Sequence, residues 1–385
     1  MDGTKKAQQL LTHILASAVC PSYQGTPPAD SHSPECLADV YRLAKAHDLG
    51  HVVAQYVHEQ KLAVSPKLEN YLTQDALLSV FRCEQLKFAL DEICQAFAGA
   101  QIPHIPLKGS VIRPYYPIES MRTSCDIDIL VHEEDLPAAI AALEAKGYRC
   151  GERAYHDVSL YSPNQIHLEL HFNIQENIDS LDKVLCNPWQ YAVPLTDYRY
   201  GFQDAFFVFH MYAHMAYHFL SGGCGLKALM DIYIMENAMN ATCHSAEALL
   251  KEAGIYTFAS HMRELANRVF RGEPLEDFPE QLLQYVFAGG VYGSKENTIA
   301  VFRSRGKSNL RYTIERIFLP YRSMAIAYPI LKKAPYLLPF FWVVRWTKAL
   351  LEKKTGTLAK EIACVNNVSP EKVRKTKALC HRLGL

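Results

Sequence analysis

The chain has 385 residues, 49% of them hydrophobic and 21% charged, enough for two or three domains. Lys+Arg and Asp+Glu number 40 each, so the net charge is zero and nothing in the total favours a specific nucleic-acid partner. No run of about 18 apolar residues occurs, which excludes a bilayer-spanning helix; the longest candidate, 334–344, is short and contains Pro335 and Pro339.

The charge is unevenly spread. From residue 301 onward there are 18 Lys+Arg against 4 Asp+Glu, so the first 300 residues hold the remaining 22 and 36. The C-terminal part therefore seeks acidic partners or the acidic remainder of the chain. The first twenty residues read as an amphipathic helix rather than a signal peptide. Eleven scattered cysteines, with no Cys-x-x-Cys pair, read as reduced thiols and point to a cytoplasmic protein.

Residues 1–100 read as helical. ECLADVYRLAKAHDLG has helical spacing and is expected to end at Gly50, and Pro66 opens a long periodic segment without breakers. Residues 101–198 form an α/β block. IPHIPLKG is short, β-branched and punctuated by proline. DIDILV is a strand, DLPAAIAALEAKGY a short helix ending at Gly147, DVSLYSP a strand, and QIHLELHFNI an alternating strand. Residues 199–385 return to helix, beginning with DAFFVFHMYAHMAYHFL and LKALMDIYIMENAM and ending in the basic tail. The expected fold class is α+β, a mixed-sheet core flanked by helical regions.

Residues two apart in a strand share a face. Asp126 and Asp128 therefore point together while Ile127 and Ile129 enter the core. The same rule puts His167, Glu169 and His171 on one face of the later strand. If the two strands are neighbours, three carboxylates converge, and such a cluster stays ionised only with a cation. Oxygen donors of this kind suit Mg²⁺ or Mn²⁺. Upstream, Gly109-Ser110 marks a strand-to-helix turn whose N–H groups can cradle phosphate, with Lys108 and Arg122 as nearby positive charge.

The pattern L-K-G-S, then Y-P, Arg, D-I-D-I-L-V and finally HLELHF resembles an uncharacterised bacterial nucleotidyltransferase family. That family lies within the DNA polymerase β-type superfamily, and GLKALMD at 225–231 is similar to another of its segments. The resemblance implies nucleotidyl transfer from an NTP, such as ATP, to a hydroxyl or phosphate by a two-metal scheme. It implies catalytic and metal-binding roles for Asp126, Asp128 and Glu169, and nucleotide-binding roles for Lys108, Gly109, Ser110 and Arg122. His171, His214 and Lys227 are the candidate substrate-binding residues. The acceptor is a small molecule, saccharide or peptide. The alternative is a catalytically silent nucleotide-binding scaffold or sensor.

Each feature also has a plainer reading. Asp126 and Asp128 can be edge-strand residues paired with Arg122 and Lys108, and Glu169 can lie on an exposed strand face, with Asp157 as the rival third acid. His210, His214 and His218 recur at helical spacing and are expected to pack, bonding to backbone or to Asp231. His47-Asp48 is similar to the signature of metal phosphohydrolases, but Gly50 more simply ends a helix there. In 340–354, Phe340, Val343, Val344, Thr347, Leu350 and Leu351 form a stripe expected to pack on the helical domain, with Trp342, Arg345 and Trp346 standing off it. At most weak peripheral membrane contact follows.

Overall fold

A computed structural model describes residues 3–239, 241–291, 293–306, 308–351 and 368–385. They divide into two compact units, Met1–Tyr217 with Cys224–Val291, and His218–Gly223 with Tyr292–Leu385.

The first unit begins with helices α1 (Gly3–Val19), α2 (Pro34–Ala46), α3 (Gly50–Glu59) and α4 (Pro66–Gly99). Two of them start alike. Ser33 and Ser65 accept a hydrogen bond from the backbone three residues on, and a proline follows where its missing N–H costs nothing. The expectation that Gly50 ends a helix is corrected: α2 stops at Ala46, Asp48 takes φ 57°, and Gly50 starts α3.

One seven-stranded mixed sheet follows, in the order β3-β4-β5-β2-β1-β7-β6. The strands are β1 (His104–Pro106), β2 (Asp126–Val131), β3 (Arg149–Arg153), β4 (Asp157–Tyr161), β5 (His167–His171), β6 (Ala192–Thr196) and β7 (Arg199–Phe202). β2 is central, antiparallel to β1 and parallel to β5. Asp126 and Asp128 are therefore not edge-strand residues.

Alternation decides what each face of the sheet does. Ile127, Ile129, Val131, Val158, Leu160, Leu168 and Leu170 form one core with the inner side of α4 and with Leu136, Ala139 and Leu143 of α6 (Leu136–Glu144). Each large aliphatic chain removed from water there contributes about 1.5–3 kcal/mol. The opposite face carries the charges. β3, β6 and β7 lack apolar alternation; RCGER is exposed throughout, and AVPLT has a proline on an edge strand.

Beyond the sheet come α8 (Asp204–Leu220), α9 (Leu226–Asn237) and α11 (Tyr256–Arg271), with α9 packed on α11. α11 ends at Gly272, whose φ of 72° suits a glycine.

The second unit includes α13 (Lys295–Ser304), α14 (Asn309–Ile317), α15 (Tyr321–Ala327), α16 (Leu338–Leu351) and a last helix, Pro370–Leu383. Here the expected orientation of α16 is reversed. Phe341 and Trp342 pack on Met324, Ala325 and Leu331, and the Trp346 indole N–H donates to the Ile317 carbonyl at 3.1 Å. Phe340 and Val343 face outward, 61% and 63% exposed. An indole buries a large ring and still finds a carbonyl for its N–H, so Trp competes for the inward side as well as Val does. The side chains of Leu350 and Leu351, and residues 352–354, lie outside the described residues.

Candidate active site

β1 ends at Pro106, and the Leu107 N–H still pairs with the Asp128 carbonyl at 2.9 Å. The chain then turns sharply. Lys108 takes φ 46° and ψ −114°, a region strained for any residue with a Cβ, and the short helix α5 (Gly109–Ile112) follows. This turn brings the Lys108 ammonium to 3.0 Å from Asp128 Oδ1. The Ser110 and Val111 N–H groups donate back to Leu107 and Lys108 carbonyls.

β2 and β5 pair in a register that sets Asp128 beside Glu169 and Asp126 beside His167. Neighbouring residues in register share a face, so the acids do come together on the side opposite the core. Glu169 is common to two groups. Ligand atoms of Asp126, His167 and Glu169 lie within 4.8 Å of one another, as do those of Asp128, Glu169 and His171. The carboxylate-rich donor set fits a hard divalent cation.

The protein itself neutralises part of this charge. Asp128 Oδ1 accepts from Lys108 and from His171 Nε2 at 2.9 Å, and His171 lies 3.5 Å from Glu169. Burial opposes ionisation of Asp128, yet Lys108 and His171 together hold its carboxyl well below the usual range. The contact with His171 lowers the Glu169 carboxyl below its ordinary value, against burial and the repulsion of Asp128. Burial works against the His171 imidazolium, but Asp128 and Glu169 outweigh it and push the ring up to about 9. Asp126 is different. Burial, then repulsion from Asp128 and Glu169, raise its pKa, and no side-chain hydrogen bond or ion pair holds it among the described residues.

Helix α8 brings a histidine to the residues after β5. His214 Nδ1 lies 2.7 Å from Glu176 Oε1, a residue that sequence reasoning did not single out. Burial, reinforced by Lys108, keeps His214 well below the ordinary histidine range. Burial likewise takes His210 down to about 3. The expected bond from these histidines to Asp231 is not among the contacts found for that acid. Asp231 instead accepts from Arg122 Nε at 2.6 Å and from the Tyr116 hydroxyl at 2.7 Å.

Arg122 therefore does not pair with Asp126 or Asp128. It binds Asp231 of α9, while its guanidinium lies 3.7 Å from where a Gly109 Cβ would stand. Lys227 donates to Asp48 at 2.9 Å and to the Thr123 carbonyl at 3.2 Å. His47 Nδ1 accepts from the Leu226 N–H, and His51 Nε2 meets the Met121 carbonyl at 3.0 Å. The His-Asp segment is thus a hub that ties α9 to the loop before β2. Asp157, opposite His171 in register, lies 3.5 Å from His156 and belongs to neither ligand group.

A family model described as an uncharacterised nucleotidyltransferase matches residues 34–271. No curated protein and no solved structure matches the chain. The matched stretch covers more than half the chain and takes in the acidic strands, the Lys108 turn and α9. The chain therefore belongs to this nucleotidyltransferase family and is an enzyme whose acceptor is unknown.

Proposed function

We propose that the protein transfers a nucleoside monophosphate from an NTP to a hydroxyl or phosphate of a small-molecule, saccharide or peptide acceptor. The observation that carries this reading is the register of β2 and β5, which sets Asp126, Asp128 and Glu169 on one face beside Lys108. Asp126, Asp128 and Glu169 would hold Mg²⁺ or Mn²⁺. When bound, such cations neutralise the triphosphate and stabilise the attacking and leaving oxygens together.

The other residues have separable tasks. Lys108 is a compact, mobile charge that can pass from Asp128 to a phosphate oxygen when substrate enters. Glu169, ionised through its bond from His171, can accept the acceptor's proton at Oε2. Gly109 and Ser110 border the turn where phosphate would lie. Arg122, committed to Asp231, positions that turn and the loop leading to Asp126. His171 sets the charge of two acids, and we assign substrate contact to His214, which meets Glu176, and to Lys227, which meets Asp48.

Calorimetry with ATP, CTP, GTP and UTP, with Mg²⁺ and with EDTA, tests the metal assignment. Binding that requires the cation is expected, and equal binding in EDTA would remove it. Each NTP labelled at the α-phosphate, incubated with cell extract as acceptor source, tests transfer. A second reading, a nucleotide-binding scaffold without turnover, draws support from the Lys108 and His171 contacts, which balance Asp128 with protein groups alone. NTP binding without label transfer to any extract would favour it.

A further inference from the structure

The second unit presents apolar side chains to water in a part of the chain that is strongly cationic. On α16 the outward face carries Phe340 and Val343, three residues apart, with Thr347 one turn beyond. Their orientation is locked from the other side. The Trp342 and Trp346 indoles donate to the Leu319 and Ile317 carbonyls, and the Phe341 ring lies 4.6 Å from that of Tyr328. A second ridge on α14 carries Leu310 and Ile314, 70% and 47% exposed and four residues apart. Between the two helices in sequence, Lys332 and Lys333 are exposed beside the exposed Ile330.

We propose that this unit docks on a bilayer surface bearing anionic headgroups. Scattered exposed apolar residues are ordinary on a protein surface, but ridges on two neighbouring helices of one small unit are not. Charge complementarity selects the occupant. Residues 301–385 hold 18 Lys+Arg and 4 Asp+Glu, an excess of 18 − 4 = 14 positive charges. A symmetric pairing of this unit with the same unit of a second copy would set this excess against itself. A polyanion such as RNA would answer the charge and leave Leu310, Ile314 and Val343 without a use. An anionic bilayer answers both, since the aliphatic and aromatic chains enter the acyl boundary while lysines remain at headgroup level. The contact is peripheral, because no described helix is long and apolar enough to cross a membrane.

The test is flotation of the full-length chain with vesicles of phosphatidylcholine, alone or with about 30% phosphatidylserine, at low salt and at about 0.5 M salt. Binding to the anionic vesicles only, weakened by salt, is expected. Phe340→Ser with Val343→Ser, and separately Lys332→Glu with Lys333→Glu, should each reduce the bound fraction about ten-fold or more. Both pairs are exposed, so circular dichroism and the melting profile should not change. Three outcomes would overturn the proposal: no flotation with anionic vesicles, undiminished flotation of the Phe340/Val343 variant, or a wild-type dimer that this variant dissolves. None of these readouts depends on nucleotide chemistry, so they stand apart from a failure of the transfer assay.

Discussion

The two faces of β2 and β5 are built from the same eleven residues, yet they obey opposite rules. On the inner face Ile127, Ile129, Leu168 and Leu170 are at most 1% exposed and pack in one hydrophobic core. On the outer face Asp126, Asp128, Glu169 and His171 are partly or wholly buried and meet charge. The inner face gains from every contact, whereas the outer face holds like charges that Lys108 and His171 offset only in part. On the proposed reading, stability and chemistry are thus separated by one residue of strand. Variants on the two faces should fail in different ways.

The largest effect is expected on the outer face. Asp126→Asn and Asp128→Asn should each lower nucleotidyl transfer by about a thousand-fold or more, because an amide cannot replace a carboxylate as a charge-neutralising ligand. Glu169→Gln should act similarly. Single-turnover assays with saturating NTP measure this. Retained activity in both aspartate variants would place the chemistry elsewhere, and loss on Asp157→Asn in place of Glu169→Gln would exchange the third acid.

The same two aspartates should differ in stability, which sharpens the comparison within one face. Asp128 holds Lys108 and His171 in a buried triad, and removing one member of such a group costs about 3–5 kcal/mol. Asp126 has no such partner among the described residues and suffers repulsion from its neighbours. Urea denaturation in EDTA should therefore show Asp128→Asn clearly destabilised and Asp126→Asn unchanged or stabilised. Equal losses would mean that the protein's own charges do not hold Asp128 as described.

The inner face should show the reverse pattern. Leu170→Ala removes a fully buried side chain and should cost about 2–5 kcal/mol. At temperatures where the variant remains folded, kcat should stay within a few-fold of wild type. A thousand-fold loss in folded Leu170→Ala protein would break the division between the faces.

Much of this division was legible in the sequence, because period-two alternation in DIDILV and HLELH states both faces at once. The register that aligns them was not, since it needs the hydrogen bonds of a parallel pair 41 residues apart, Asp128 to Glu169. The edge strands RCGER, AVPLT and RYGF carry no alternation, because little of them is buried. The partner of Arg122 was hidden for a different reason. Asp231 lies 109 residues further along the chain, and an isolated Asp in an apolar helix names no partner until the helix is placed. The α16 faces were misjudged because hydrophobic periodicity ranks Val above Trp, although a buried indole with a carbonyl to bond packs equally well.

The smallest expected effect is a pH dependence that separates two buried histidines, His171 and His210. His171 has its pKa raised to about 9 in the folded protein, against an ordinary value of 6.5. Its contribution to stability is therefore complete below pH 6.5 and is lost as pH rises through about 9. His210 has the opposite shift, down to about 3, so the unfolded chain takes up a proton first and stability falls as pH drops below 6.5 toward 3. Each contribution is a few kcal/mol at most. Urea midpoints measured in EDTA from pH 4.5 to about 9.5, for wild type, His171→Gln and His210→Gln, resolve the two arms. The alkaline decline should flatten in His171→Gln and the acid decline in His210→Gln. If His171→Gln instead flattened the acid arm, that ring would be neutral in the folded protein. Asp128 would then owe its low pKa to Lys108 alone.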